Sequence, residues 1–269
     1  TGCGSGGSDA TENTTASQEG INSDLKSANE SSQEVFAMDT YMTVTAYGKN
    51  AKKAVDASIE EIKRLDALLS TGDEDSEIAK LNVNKSATLS EDGGYLVQRG
   101  IELSTMTDGA FDIAIYPVMQ EWGFPTKDFK VPDDVTLKEL LKLADVSKID
   151  YDNKSREISF DDAGMEIDLG GIAKGYTSSR IMDIFKEYDV DSGLVNLGGN
   201  VQTYRTKTDG SKWRVAVQSP EDESQYIGVV DVSDKAVITS GGYERYFEQD
   251  GKILSLIHIS EPTRRRGIS

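Results

Sequence analysis

The sequence is short of several residues that usually constrain a fold or announce a chemistry. It has one cysteine in 269 residues, which excludes an intrachain disulfide. It has no apolar run approaching the length of a membrane-spanning helix, so the body reads as soluble. Cations are scarce: 29 Lys and Arg stand against 47 Asp and Glu, a net charge of −18. With no basic excess to displace counterions from phosphates, a nucleic-acid partner is not expected. An anionic ligand would need a local lysine, a helix N-terminus or a divalent metal to offset the repulsion. What remains is globular in composition, and long enough for one large or two small domains with a substantial core.

The two ends read differently from the body. Thr1-Gly2-Cys3-Gly4 resembles the end of a bacterial lipoprotein signal, which makes Cys3 a candidate for lipidation and stable anchoring by two acyl chains. Residues 4 to 34 are rich in Ser, Gly, Thr, Asn and Glu with few apolar side chains, so residues 1–34 are expected to be an anchor and tether without a core of their own. Residues 35–253 form the folded body. Residues 254–269, which begin Leu254-Ser255-Leu256-Ile257-His258, look like the translation of a sequencing adapter and are set aside as a non-native tail, and with them the chain's sole histidine.

Within the body, the chain is organised around Asp168-Leu169-Gly170-Gly171-Ile172-Ala173-Lys174-Gly175-Tyr176. Met165, Ile167 and Leu169 alternate with Glu166 and Asp168, the period of a strand; Ile172, Tyr176, Ile181, Ile184 and Phe185 then follow helical spacing. A helix starting at paired glycines exposes first-turn N–H groups whose partial positive charge, with Lys174, suits a pyrophosphate. Asp168 could then hold a ring or ribose donor. Taken alone the signal is weak, because a glycine turn before a helix with a solvated lysine is common as plain structure.

The remaining elements are read from periodicity. A strand is expected over Phe36–Tyr47 and an amphipathic helix over residues 50 to 69, closed by Ser70-Thr71-Gly72. A short helix capped by Asp75 or Ser76 and a helix over Glu91–Met106 come next. In the apolar stretch Ala110–Pro117, Asp112 is either a buried carboxylate in need of partners or a cap. Pro117–Pro132 reads as a loop and Leu137–Leu143 as a helix. Strands follow at Val146–Tyr151, Glu157–Phe160 and Met165–Asp168. After the central helix come Gly193–Asn200 with a second glycine pair, Val201–Arg205, Trp213–Gln218, Tyr226–Val232 and Ala236–Thr239, leading into Ser240-Gly241-Gly242-Tyr243. Three strand ends rich in glycine or hydroxyls could converge on one ligand, although each is also a turn signal. The order of strands and helices indicates an α+β chain rather than a doubly wound sheet.

Taken in order, these stretches resemble the ApbE family, the FAD:protein FMN transferases of bacterial envelopes. The resemblance rests on Met38-Asp39-Thr40, Leu69-Ser70-Thr71 with Ser76-Glu77-Ile78 and Leu81-Asn82, Gly109-Ala110-Phe111-Asp112 with Pro117 and Trp122-Gly123-Phe124, Asp168–Tyr176, Val195–Asn200, and Thr239-Ser240-Gly241 with Tyr243-Glu244-Arg245-Tyr246. It implies tandem, T-fold-like antiparallel sheets with packed helices, binding FAD between the halves. Met38, Ala110, Phe111, Asp112, Asp168 and Lys174 match positions that contact FAD, and Gly171 one whose carbonyl helps hold Mg²⁺. Lys174 would stabilise charge during phosphoryl transfer. The implied partners are acceptor flavoprotein subunits of envelope electron-transfer systems, reached from the extracytoplasmic face of the cell membrane.

Four departures stand out. Asp39 replaces a common glycine. Gly72 stands where some members have a flavin-stacking tyrosine, and Ser179 where an acidic residue is frequent. The family's His-x-x-Asp-Pro-x-Thr-Gly stretch, expected just after Lys252, is absent; it carries a metal carboxylate, so the chain as printed is expected to be inactive or nearly so. The alternatives are an FAD pyrophosphatase giving FMN and AMP, and a non-catalytic FAD-binding lipoprotein.

Overall fold

The structure is a computed structural model. It describes residues 29–220, 222, 224–239, 246–249 and 252–255, the last two segments as backbone. Cys3, His258 and Ser240-Gly241-Gly242-Tyr243 lie outside the described residues.

The chain opens with β1 (Glu30–Ala37) and β2 (Thr40–Tyr47), an antiparallel hairpin. The expected single strand is therefore bent at Met38 and Asp39, whose φ angles of 48° and 59° put both in the left-handed region of a two-residue hairpin turn. β1 also begins inside the stretch read as tether. Its ladder bonds are backbone bonds, so a polar sequence can form an edge strand once a partner is in place.

α1 (Ala51–Leu69) buries Ala51, Ala54, Val55, Ile59, Ile62, Leu65 and Leu69 along one stripe, as its periodicity predicts. α2 (Glu77–Asn84) is capped by Ser76, whose Oγ accepts the Ala79 N–H at 2.9 Å. β3 (Ser86–Thr88) leads to α3 (Glu91–Met106), capped by Ser90. A 3-10 turn at Ile113–Ile115 then passes into α4 (Tyr116–Glu121). The expected loop from Pro117 is thus helical at its start, because Pro117 sits in the first turn where its missing N–H costs nothing. α5 (Asp134–Leu140) starts earlier than its apolar residues suggested, at the cap supplied by Asp133. A 3-10 turn at Val146–Lys148 precedes β4 (Ile149–Asp152) and β5 (Glu157–Phe160).

α6 (Gly170–Glu187), β6 (Ser192–Leu197), β7 (Asn200–Tyr204), β8 (Trp213–Gln218), β9 (Tyr226–Val232), β10 (Ala236–Ile238), β11 (Tyr246–Gln249) and β12 (Lys252–Ser255) complete the described elements. β12 includes Leu254 and Ser255, the first two residues of the stretch set aside as a tail; they pair with Phe247 and Tyr246.

Every described pairing is antiparallel. A five-stranded sheet runs β1-β2-β6-β7-β10, a smaller one β3-β5-β4, and β8-β9 and β11-β12 are separate hairpins. This is the expected α+β class with antiparallel sheets and packed helices. One core lies between the large sheet and the helices, with Met42, Val44 and Leu197 facing Val55, Ile62, Ile181 and Phe185. A second gathers Leu65 and Leu69 from the end of α1, Leu81 of α2, Leu96 of α3 and Ile113 around Met165, Ile167 and Leu169. α1 and α6 each serve both cores, and the candidate site opens where the two meet.

Candidate functional site

The N-terminus of α6 is held by the segment before it. Met165, Ile167 and Leu169 are fully buried, as their alternation predicts, yet residues 165–169 form no ladder. A side chain replaces the missing strand partner: the buried Asn82 carboxamide donates to the Ile167 carbonyl at 2.9 Å and accepts its N–H at 2.8 Å. The Asp168 N–H goes to the Ile113 carbonyl at 2.8 Å. These backbone groups are satisfied without a neighbouring strand, which hydropathy alone could not reveal.

The glycines are the first two residues of the helix, not a turn before it. Leu169, at the cap position, offers no side-chain bond; Asp168 does so instead, its Oδ1 accepting the Gly170 N–H at 2.9 Å. Phe111 packs against Gly171 so closely that a Cβ there would lie 2.9 Å from the ring. Lys174, half-buried, follows in the next turn. The positive end of an 18-residue helix and a lysine thus share one wall.

Farther along, α6 is clamped by charge. The Tyr176 hydroxyl donates to Asp92, Arg64 pairs with Asp92 at 2.8 Å and with Glu61 at 2.8 Å, and Arg180 reaches Glu61 at 3.3 Å. Burial raises the Asp92 carboxyl, but the Tyr176 hydroxyl and the Arg64 guanidinium outweigh it and hold the group below the usual carboxylate range. Burial and the Asp92 bond push the Tyr176 phenol up. The Tyr95 ring lies 5.3 Å from that of Tyr176 and is half exposed.

At the end of the large sheet, two hairpin turns lie side by side. Met38 and Asp39 join β1 to β2; Gly198 and Gly199, at φ 61° and 84°, join β6 to β7. The Met38 N–H donates to Asp66 Oδ1 at 2.9 Å, and its side chain packs against both cores. The Gly199 N–H donates to Asn196 Oδ1 at 3.0 Å, and Thr239, just after β10, donates its N–H to the Gly199 carbonyl at 3.3 Å.

The N-terminus of α6, the Tyr95 and Tyr176 rings and residues of the two turns line one cleft of about 1690 Å³, larger than most small-ligand pockets. Met38, Ala110, Phe111, Asp112, Asp168, Gly171 and Lys174, the sequence-derived candidates within the described residues, all border it. So do Gly198, Asn200 and Thr239; of the third expected strand end, Ser240 to Tyr243 lie outside the described residues. The Asp112 carboxylate acts as a cap, accepting N–H groups of Ala114 at 2.8 Å and Val146 at 3.2 Å; burial nevertheless raises it above an ordinary aspartate. Asp66, Tyr95 and Arg99 also line the cleft and were not singled out from sequence, and Asn200 was read only as the end of a glycine-paired strand. Asp66 and Tyr95 lie in helices whose periodicity marks only buried positions, and Asn200 ends a glycine run that signals a turn.

Asp39, Asp66, Glu91, Asp112, Asp168 and Asp183 border the same cleft as Arg99, Lys127 and Lys174. The lining is acidic on balance, so local geometry has to select an anion. Among the described residues no group of three or more His, Cys, Asp or Glu is placed to hold a metal ion. Gly171 is exposed in the first turn of α6, where a carbonyl points along the helix axis toward the following turn.

The model of the ApbE family matches residues 38–269. The chain belongs to the ApbE family. A Klebsiella pneumoniae protein named FAD:protein FMN transferase is 34% identical over 207 residues, which cover 75% of this chain and 62% of that protein. A Treponema pallidum protein of the same name is 31% identical over 254 residues, 87% of this chain and 70% of the relative. The chain therefore spans about 62–70% of the length of these relatives. Among solved structures, the ApbE protein of Thermotoga maritima superposes with a TM-score of 0.81 at 29% identity, covering 86% of this chain and 77% of that one. The apo flavinyl transferase ApbE of Pseudomonas stutzeri gives 0.73 at 27% identity, covering 84% and 72%. In this ApbE family chain, Asp39 occupies a left-handed turn position, and Gly72 borders an open part of the cleft where an added Cβ would meet only Ser70 Oγ at 3.9 Å.

Proposed function

We propose that this ApbE family protein transfers FMN from FAD to a Thr or Ser hydroxyl of an acceptor protein. The observation that carries the reading is the convergence, on one large cleft, of the α6 N-terminus with Lys174 and the two turns at the end of the sheet. The names of the relatives agree with it. In the reaction the acceptor oxygen attacks the FMN phosphorus as the bond to the bridging oxygen breaks. AMP leaves, and the hydroxyl proton passes to solvent. Lys174 and the first-turn N–H groups of α6 would hold the pyrophosphate and stabilise the charge that grows on it; neither has to move a proton. Phe111 and Met38 would supply apolar contact to the rings. The reaction is expected to require magnesium, so chelation should abolish transfer. The reading extends to acceptors among envelope electron-transfer proteins and to anchoring through Cys3 on the extracytoplasmic face, both resting on the sequence.

The test incubates the protein with FAD, Mg²⁺ and a candidate acceptor, using residues 1–269 and a version extended by a His-x-x-Asp-Pro-x-Thr-Gly stretch. Covalent FMN on the acceptor, seen as a mass increase with release of AMP, supports transfer. FMN and AMP without a labelled protein would make it a pyrophosphatase, and FAD binding without either product a flavin-binding protein. Lys174→Ala should weaken FAD binding about 10- to 100-fold, the range for losing one charged hydrogen bond. Unchanged binding and turnover would remove Lys174 from the site.

A further inference from the structure

Asn200, the first residue of β7, is 6% exposed, and its Oδ1 is buried with no hydrogen-bond partner among the described residues. The residue borders the cleft. A buried carboxamide oxygen left unpaired costs stability, so its retention calls for a partner that arrives with a ligand. The surroundings fix where it stands. Gly198 and Gly199 turn the chain immediately before it, Asn200 pairs with Ile238 of β10, and Thr239 closes the turn by donating to Gly199. The carboxamide therefore sits on rigid sheet rather than on a loop, at the end of the cleft built by the hairpin turns.

We infer that Asn200 is a ligand-positioning residue whose side-chain oxygen accepts an N–H or O–H of the bound dinucleotide. This rests on the FAD reading above and adds a residue and a polarity to it. An acceptor cannot serve the ionised pyrophosphate, which has no proton to donate. Asn200 must read a ring edge or a hydroxyl: the flavin imide N–H, the adenine amino group, or a ribityl or ribose hydroxyl. It divides the work with Lys174, which holds charge while Asn200 fixes the orientation of one end.

The experiment measures FAD affinity by fluorescence titration, and the melting temperature without ligand, for wild type, Asn200→Leu and Asn200→Ala. Leucine keeps roughly the volume and removes the unpaired oxygen; alanine covers the case in which leucine does not fit. The inference expects FAD binding to fall about tenfold, the value of one hydrogen bond, while the ligand-free melting temperature stays the same or rises. A residue that only supports the fold would lower the melting temperature. Titrations with FMN and with ADP assign the donor to whichever half loses affinity. Unchanged FAD affinity in both variants overturns the inference and leaves the FAD reading standing, as does a lowered melting temperature in both. If the wild type binds no FAD, the functional reading fails and Asn200's role falls with it.

Discussion

The two hairpin turns at the end of the large sheet have the same left-handed backbone at both central positions but opposite residue choices. Gly198-Gly199 is the arrangement such turns favour. Met38-Asp39 places two side chains where L-residues are strained, at φ 48° and 59°. The neighbours explain the difference. A Cβ on Gly198 would lie 2.3 Å from Thr40 Oγ1 and 2.9 Å from Thr40 Cβ, so the second turn must stay bare for the first to lie beside it. The first turn accepts strain because its side chains are used: Met38 packs against both cores, and Asp39 borders the cleft. One turn gives up side chains for close approach, and the other gives up backbone ease for a place in the site.

The largest effect should come from breaking the bare turn. Gly198→Ala combines a positive φ with a clash against a β-branched side chain, and is expected to cost about 2–4 kcal/mol. Adding Thr40→Ala removes the Oγ1 and Cγ2 contacts at 2.3 and 2.7 Å while leaving the φ penalty. The double variant should therefore recover more than the two single costs would allow, as measured by urea denaturation. Strict additivity would mean that close approach is not the reason for glycine here.

Met38 tests the other side of the comparison. Met38→Ala keeps the positive φ and empties the seam between the cores, for an expected loss of about 1–2 kcal/mol, less than for a fully buried methionine. Met38→Gly would relieve the backbone, yet should also lose stability if packing is what the residue supplies. A glycine variant more stable than wild type would show that the turn, not the seam, dominates.

This contrast also marks how far the sequence could be read. α1 and α3 were legible because amphipathic patterns record burial on one face, and β5, β8 and β9 as short runs rich in β-branched and aromatic residues, although β9 is exposed along most of its length. The turn at Met38-Asp39 was not, since neither residue is a strong turn signal and both flanking segments share one strand period. The segment Met165–Leu169 shows the same limit. Its alternation correctly gave the buried positions, but the partner of its backbone is the Asn82 side chain, 85 residues away, and periodicity carries no record of partners. The site was legible through its glycines, Lys174 and the order of its motifs. Asn200, Asp66 and Tyr95 became visible only once the cleft was assembled from segments far apart in sequence.

The smallest effect separates strain from charge at the site's own turn. Asp39→Gly should stabilise the protein by about 0.5–1 kcal/mol, the relief of a left-handed L-residue less the extra freedom of an unfolded glycine. Asp39→Asn tolerates the same conformation nearly as well as aspartate and should leave stability within about 0.5 kcal/mol. Both remove a negative charge from the border of a cleft proposed to take an anionic dinucleotide. If charge governs affinity, the two variants should bind FAD more tightly than wild type by a similar factor of about two to five at low salt, and the gain should shrink as salt screens it. If only the glycine variant gains, backbone geometry is what Asp39 imposes on the ligand. That outcome would make the turn, rather than its charge, the means by which Asp39 shapes the site.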